Sequence, residues 1–153
     1  LLTQIGRLRT EAQKELKTYR NLPLFTTALG VYWCEGDTAS RSTIRVRSSE
    51  PALLRVWLTF LREICGVPSE KIALALYIYP DLDQAACRRY WSRQLGIQKF
   101  HKTQVLQSRH KTKRLPYGTC NVVVVNTYLK KKLLLWIDQL PEMVLNTVPQ
   151  KRR

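Results

Sequence analysis

The stretch ALGVYWCEGD, residues 28–37, closes the most apolar segment of the chain. Pro23 and the mostly uncharged residues that follow it have the length and composition of a helix that ends near Glu35. Two acids, Glu35 and Asp37, then stand around one glycine in a protein with 26 Lys and Arg but only 11 Asp and Glu. The plain interpretation is a helix stop at Gly36. The alternative is that these carboxylates have a chemical task.

Composition limits the function classes. A chain of 153 residues with 44% apolar content can bury one core, so a single domain is expected. A net charge of +15 indicates a polyanionic partner. The longest apolar stretch, residues 22–34, is too short to span a bilayer, and no secretory signal pattern opens the chain. We expect a cytoplasmic or organellar-matrix protein that is not secreted and has no membrane partner.

The cysteines do not predict a metal or disulfide site. Each of the four lies more than twenty residues from the next, no C-x-x-C pair occurs, and neither histidine completes a zinc spacing. We interpret them as reduced, small apolar residues.

Two segments alternate between apolar and polar residues and predict strands with one buried face, 42–49 and 71–79. A third strand is predicted near 103–108, and a fourth in the β-branched run after PYG at 116–118. The outward faces of the first two strands carry Thr43, Arg45, Arg47, Lys71, Tyr77 and Tyr79.

Helices are predicted between these strands. One spans 51–65 with Pro51 in its first turn, and another spans 82–95 and ends at Gly96. A last helix is predicted to be capped by Thr127 and stopped by Pro141.

The predicted order from residue 23 onward is helix, strand, helix, strand, helix, strand, strand, helix. This order predicts an α+β fold with a mixed or antiparallel sheet whose one face is covered by helices. We divide the chain into a charged, solvated lead-in helix at 1–22, a domain at 23–140 and a loose basic tail at 141–153.

Positive charge is concentrated in the second half of the chain. Residues 84–137 contain twelve Lys and Arg and no Asp or Glu, which a mixed-sign solvated surface does not explain. Nucleic acid is the better explanation, either in the DNA major groove or as stacked single-stranded bases. The candidate nucleic-acid-binding residues are Arg41, Thr43, Arg45, Arg47, Lys71, Tyr77, Tyr79, Lys99, Lys102, Arg109, His110, Lys111, Lys113 and Arg114.

The helix before Gly36 is apolar on both sides. Small side chains, Gly30 and Cys34, lie four residues apart on one face, while Leu29, Tyr32 and Trp33 make the other face bulky. A helix that is apolar all round must be buried all round, so we expect a homodimer. The predicted interface residues are Leu24, Thr27, Gly30, Val31 and Cys34.

Residues 28–36 resemble the signature helix of the LAGLIDADG homing endonuclease family. Gly30 and Cys34 match the small helix-packing positions, and Glu35 matches the final acid before the glycine. The order of elements over residues 24–140 is also similar, including SSEP at 48–51 and LPYGTC at 115–120. The resemblance implies a LAGLIDADG-type core, with a saddle-shaped sheet.

The same resemblance implies a function. Two copies would bind a near-palindromic site in double-stranded DNA and cleave it with Mg²⁺ or Mn²⁺ held at Glu35 and Gly36. A basic residue assists the active site in this family; we assign this role to Lys102, with Lys99 and Lys113 as the other candidates.

Two other functions stay open. Trp33 replaces the first acid of the signature, and variants of the YWCEG type are similar to LAGLIDADG-like domains joined to helix-turn-helix segments. This similarity implies a DNA-binding regulator that does not cleave. The third candidate is a maturase, an RNA-splicing cofactor that binds structured intron RNA.

Overall fold

The computed structural model describes residues 2–107 and 115–151. Within these ranges it is an α+β fold, as the sequence predicted. The helices are α1 (Leu2–Tyr19), α2 (Pro23–Glu35), α3 (Pro51–Thr59), α4 (Gln84–Leu95) and α5 (Thr127–Leu145), and the strands are β1 (Thr43–Ser48), β2 (Ile72–Ile78), β3 (Gln104–Val105) and β4 (Thr119–Val125). From α2 onward the predicted order of elements is confirmed.

The described strands form a mixed sheet in the order β1-β4-β2-β3. The long strand β4 lies between β1 and β2 and is antiparallel to both, whereas the two-residue β3 runs parallel to β2. Alternation along β1 and β2 places apolar side chains such as Ile44, Val46 and Leu74 in the interior, because successive residues of a strand point to opposite faces. The faces predicted for 42–49 and 71–79 are confirmed along β1 and β2.

The helices α2 to α5 contact this apolar face of the sheet or one another. The largest buried side chains of the core are aromatic. The ring of Tyr32 on α2 stacks on Trp57 on α3 with centroids 5.3 Å apart, and Phe25 meets Trp136 edge-on at 5.2 Å. Such pairs add about 0.5–1.5 kcal/mol each to the gain from burying their area. They fix α2 against α3 and α5.

The lead-in helix is more than a solvated element, contrary to the prediction. One face of α1 packs on α5: Leu8 and Ala12 are buried, and the indole Nε1 of Trp136 donates a 2.9 Å hydrogen bond to the Ala12 carbonyl oxygen. The amine of Lys132 lies 3.0 Å from both carboxylate oxygens of Glu15. The many charged residues of α1 conceal, in the sequence, the short apolar stripe that makes these contacts.

Both predicted ends of the last helix were wrong. Asn126, not Thr127, is the N-cap, because its side-chain oxygen accepts a 3.0 Å hydrogen bond from the Leu129 amide. Pro141 lies inside α5, which continues to Leu145. Beyond this proline, which cannot donate a helical hydrogen bond, Met143 still packs against the core. The C-terminal tail therefore begins after the helix and not at residue 141.

The remaining predictions differ in detail. The helix predicted for 51–65 is α3 followed by a π-helical turn, Phe60–Ile64. The helix predicted for 82–95 starts at Gln84, capped by Asp83, and ends at Gly96 in the left-handed conformation expected of a helix-ending glycine. The strand predicted near 103–108 is only Gln104–Val105 in the described residues.

Candidate nucleic-acid interface

The second face of the sheet carries the basic residues. In the middle of this face Val123 lies beside Ala73 and Asn121 beside Ala75, and all of these except Ala75 are buried. Long polar side chains flank them, with Arg45 and Arg47 exposed on β1. None of the four described strands contains an Asp or Glu. We refer to this surface, the outward-facing residues of β1, β4, β2 and β3, as the open face.

Arg47 is the most firmly held cation of the open face. Its guanidinium carbon lies 3.9 Å from the centre of the Tyr77 ring, and its Nε donates a 2.9 Å hydrogen bond to the Thr119 hydroxyl oxygen. Tyr77 is opposite Thr119 in the register of β2 and β4, whereas Arg47 is opposite Asn121 in that of β1 and β4. Residues of three strands therefore meet at one guanidinium.

Glu35 ends α2 at the edge of the sheet. The next residue, Gly36, makes an antiparallel bridge to Val46 of β1, and the Asp37 amide donates a 3.1 Å hydrogen bond to the Arg45 carbonyl oxygen. The Glu35 side chain is exposed, and it makes no hydrogen bond or ion pair with any residue in the described ranges. Among the described residues, then, nothing competes with a cation for this carboxylate beside β1.

Gly36 is required by a close approach to Tyr32. A Cβ atom at position 36 would lie 2.4 Å from the Tyr32 carbonyl oxygen and 2.5 Å from Cδ2 of its ring. The glycine amide donates a 2.8 Å hydrogen bond to that same carbonyl oxygen. The glycine after Glu35 therefore lets the chain leave the helix directly over the tyrosine.

The carboxylate of Asp37, by contrast, is occupied. Its Oδ1 accepts hydrogen bonds from the amides of Ala39 at 2.9 Å and Ser40 at 3.4 Å, and its Oδ2 lies 3.3 Å from Nη1 of Arg45. These amides lower the pKa of Asp37, with further contributions from the charges of Lys130 and Arg45. Asp37 shapes the loop into β1 and is a poor candidate for a metal ligand.

Lys130 is a buried residue beside the candidate site that the sequence prediction missed. It is fully buried, and its Nζ donates hydrogen bonds to the carbonyl oxygens of Asp37 and, at 2.7 Å, Thr43. Burial lowers the pKa of Lys130, partly opposed by the charge of Asp37. Its position among Leu129 and Leu133 on the apolar stripe of α5 was the available signal.

The structure does not bring Lys102 to Glu35 within one subunit. Lys102 is exposed and follows His101, whose amide donates a 2.8 Å hydrogen bond to the Leu74 carbonyl oxygen at the outer edge of β2. Three strand spacings, about 14 Å, separate that segment from β1. Lys99 lies on the same segment.

The other predicted nucleic-acid-binding residues fall into three groups. Arg41, Lys71 and Lys99 are exposed, whereas Thr43, Tyr77 and Tyr79 are half-buried on or beside β1 and β2. Five predicted residues lie outside the described ranges, namely Arg109, His110, Lys111, Lys113 and Arg114.

The outer face of α2, where the dimer interface was predicted, is partly exposed. Thr27 and Cys34 are exposed, and a Cβ atom built on Gly30 would meet nothing within 4 Å. The other two predicted interface residues, Leu24 and Val31, are half-buried. Trp33, which the sequence placed on the bulky inner face, is instead 56% exposed.

One subunit has a single candidate carboxylate for the predicted divalent cation. Glu35 supplies one free carboxylate at the C-terminal end of a helix, where the helix dipole favours a cation, and Gly36 can supply only its carbonyl oxygen. Among the described residues no group of three or more His, Cys, Asp or Glu could hold a metal ion. The residues present therefore fit Mg²⁺ or Mn²⁺ only if a second copy contributes its own Glu35.

No family model, no curated protein and no solved structure matches this chain. Over residues 2–107 and 115–151, none of the helices is both long enough and apolar enough to cross a membrane.

Proposed function

We propose that this chain is a LAGLIDADG-type DNA endonuclease that acts as a homodimer on a near-palindromic site in double-stranded DNA. In this proposal the open faces of two saddle-shaped sheets bind the DNA, and two α2 helices pack at the two-fold axis. The observation that carries the proposal is the position of Glu35, a free carboxylate at the edge of a basic sheet in a chain with few acids.

The open face suits duplex DNA for two reasons. Its strands carry no acid, so no carboxylate of these strands repels phosphate, and Arg45 and Arg47 supply positive charge. Arg45 and Arg47 project from a strand, and the major groove admits a β-ribbon. The open face of each subunit would then contact one half-site.

The outer face of α2 suits a second copy of the chain. It carries no charged residue between Pro23 and Cys34, and the small side chains of Gly30 and Cys34 allow close approach of another helix. An isologous contact of this kind produces two-fold symmetry and brings two Glu35 residues together.

The two Glu35 carboxylates would hold Mg²⁺ or Mn²⁺. A bound divalent cation offsets phosphate charge and activates water for attack on the phosphodiester. The chain's own residues position that site: Lys130 and Asp37 fix the loop after Glu35, and Gly36 directs it along β1. Lys102 lies far from Glu35 of its own subunit. In this proposal it can assist cleavage only at the site of the partner copy or by contacting the DNA.

A DNA-binding regulator without cleavage is the second candidate. It is favoured by the small number of free acids, because Asp37 is already engaged by Arg45 and two amides. Both candidates use the open face, and they differ only in what Glu35 does.

The deciding experiment pairs cleavage with binding. A plasmid library with randomised inserts is incubated with the protein in Mg²⁺ or Mn²⁺, and the site cut or bound best is then used for wild type, Glu35→Gln and Glu63→Gln. We expect Glu35→Gln to lose turnover by orders of magnitude while its affinity in Ca²⁺ stays level or rises, because a negative charge near phosphate is gone. Glu63→Gln, an exposed acid on the helical side, should behave as wild type.

Three outcomes would change the assignment. If the wild type never cuts its best-bound site in either metal, the regulator is correct. If Glu35→Gln cuts normally, the active site is elsewhere. If structured RNA competes for binding better than duplex DNA does, the maturase replaces both.

A further inference from the structure

The guanidinium of Arg47 is fixed on two sides and free on the third. The Tyr77 ring covers its plane at 3.9 Å, and Thr119 accepts the hydrogen of Nε at 2.9 Å. In the described part of the chain, no hydrogen bond or ion pair uses its Nη1 or Nη2, and the side chain is exposed. The two terminal nitrogens are therefore left without a partner among the described residues, while the Nε side is anchored.

This arrangement depends on the sheet order. Arg47 on β1 and Tyr77 on β2 are separated by β4, so the arginine side chain reaches across one strand to the tyrosine ring. A solvated arginine would lose rotamer freedom on binding, whereas this one is already ordered. An arginine that is ordered before binding is better suited to recognise a group of defined geometry than to provide general attraction to negative charge.

Arg45, two residues earlier on the same face, differs in this respect. Its Nη1 lies 3.3 Å from a carboxylate oxygen of Asp37, so one terminal nitrogen is engaged within the subunit. No aromatic ring of the described residues stacks on it. Of the two arginines, only Arg47 presents a free pair of terminal nitrogens.

The chemistry of that free pair selects its partner. Two parallel N–H donors match the O6 and N7 acceptors that guanine presents in the major groove. The deep, narrow major groove of A-form RNA excludes side chains, so among duplexes only B-form DNA offers this guanine edge to Arg47. We infer that Arg47 reads one guanine in each half-site of the bound DNA, an inference that rests on the proposed function.

The test is a selection from a randomised duplex DNA library with four proteins. They are wild type, Arg47→Lys, Thr119→Val, and Arg93→Lys as a control on the exposed side of α4. Wild type and Arg93→Lys should enrich sites with one fixed guanine per half-site. Arg47→Lys keeps the charge but loses the two parallel N–H donors of the guanidinium, so its preference for that guanine should fall on the order of 10- to 100-fold. Thr119→Val removes only the anchor and should cause a smaller loss.

A chemical substitution in the DNA tests the same interaction from the other side. Replacing the enriched guanine by 7-deazaguanine removes the N7 acceptor. This replacement should lower the affinity of the wild type for the site to near that of Arg47→Lys. It should have little further effect on the affinity of that variant. Thermal melting of each variant establishes that it is folded before affinities are compared.

The outcomes separate this inference from the proposed function. If wild type enriches a site but Arg47→Lys keeps the same guanine preference, the inference is wrong while DNA binding stands. An enriched site with no fixed guanine overturns it equally. If wild type enriches no duplex, or binds the same sequence better as duplex RNA, the inference and the proposed function are both wrong.

Discussion

Lys130 on α5 donates a 2.7 Å hydrogen bond from its buried Nζ to the carbonyl oxygen of Thr43, the first residue of β1. The same amine also bonds to the carbonyl oxygen of Asp37. One cation thereby fixes both ends of the loop that joins the end of α2 to the open face. The position of Glu35 relative to Arg45 and Arg47 depends on this interaction.

Lys130→Met should therefore destabilise the protein, although it removes a buried charge. The Thr43 carbonyl oxygen loses its side-chain partner, and we expect a net loss of about 1–3 kcal/mol in the free energy of unfolding. Lys131→Met, one residue further along the same helix but exposed, should change it by less than about 0.5 kcal/mol. Urea denaturation of the three proteins measures both values. Equal effects at the two positions would mean that the buried hydrogen bonds of Lys130 do not contribute to the free energy of unfolding.

Gly36→Ala should also destabilise the fold. The added Cβ would lie 2.4 Å from a backbone oxygen of Tyr32, so either the chain or the buried ring must shift. We expect a loss of about 1–3 kcal/mol in the free energy of unfolding, measured by chemical denaturation. Gly6→Ala is the control, because a Cβ in that exposed part of α1 meets nothing within 4 Å and should stabilise the helix slightly. A neutral Gly36→Ala would contradict the close packing under Glu35.

Gly30→Leu should separate the proposed dimer and leave the subunit folded. Apart from the helix's own backbone and chain neighbours, no atom of the described residues lies within 4 Å of a Cβ at this position, so we expect the larger side chain to obstruct a second copy. Light scattering should give the dimer mass for wild type and for Gly6→Leu, but the monomer mass for Gly30→Leu. Wild type that is monomeric both free and on DNA would rule out the interface.

Binding to duplex DNA should weaken steeply with salt. If each subunit neutralises about three to five phosphates, the dimer should lose on the order of 10³-fold or more in affinity between roughly 50 and 200 mM salt. Lys71→Gln, at the exposed start of β2, should reduce the slope of log affinity against log salt by about one for each phosphate that it no longer neutralises. Arg93→Gln, on α4, should leave the slope unchanged. A flat salt response in wild type would show that the open face does not bind phosphate.

Stability should fall as the pH rises above about 9. Burial raises the pKa of Cys65 from 9.0 to about 12, and burial also raises the pKa values of Cys120 and Tyr32. In the unfolded chain the Cys65 thiol loses its proton from about pH 9, whereas the folded state holds it, so alkali favours unfolding. Between about pH 9 and 12 the melting temperature should therefore decrease. Cys65→Ala, which removes this thiol, should show a shallower decrease.

The sequence alone determined the α+β class, the order of elements from Pro23 onward and the faces of β1 and β2. These properties are local: a period of two or of 3.6 residues and a helix-ending glycine such as Gly96 can be read within a dozen residues. The apolar helix that ends at Glu35 was recognised for the same reason. The LAGLIDADG resemblance and its dimer stay predictions.

Only the tertiary structure decided how the candidate site is assembled. It placed Lys130 under the Glu35 loop, carried Arg47 across β4 to Tyr77 and put Lys102 at the opposite edge of the sheet from Glu35. Each of these relations joins residues far apart in the chain, and each follows from which strands and helices are neighbours. Neighbour choice depends on packing of the whole core, and no short window of sequence contains it.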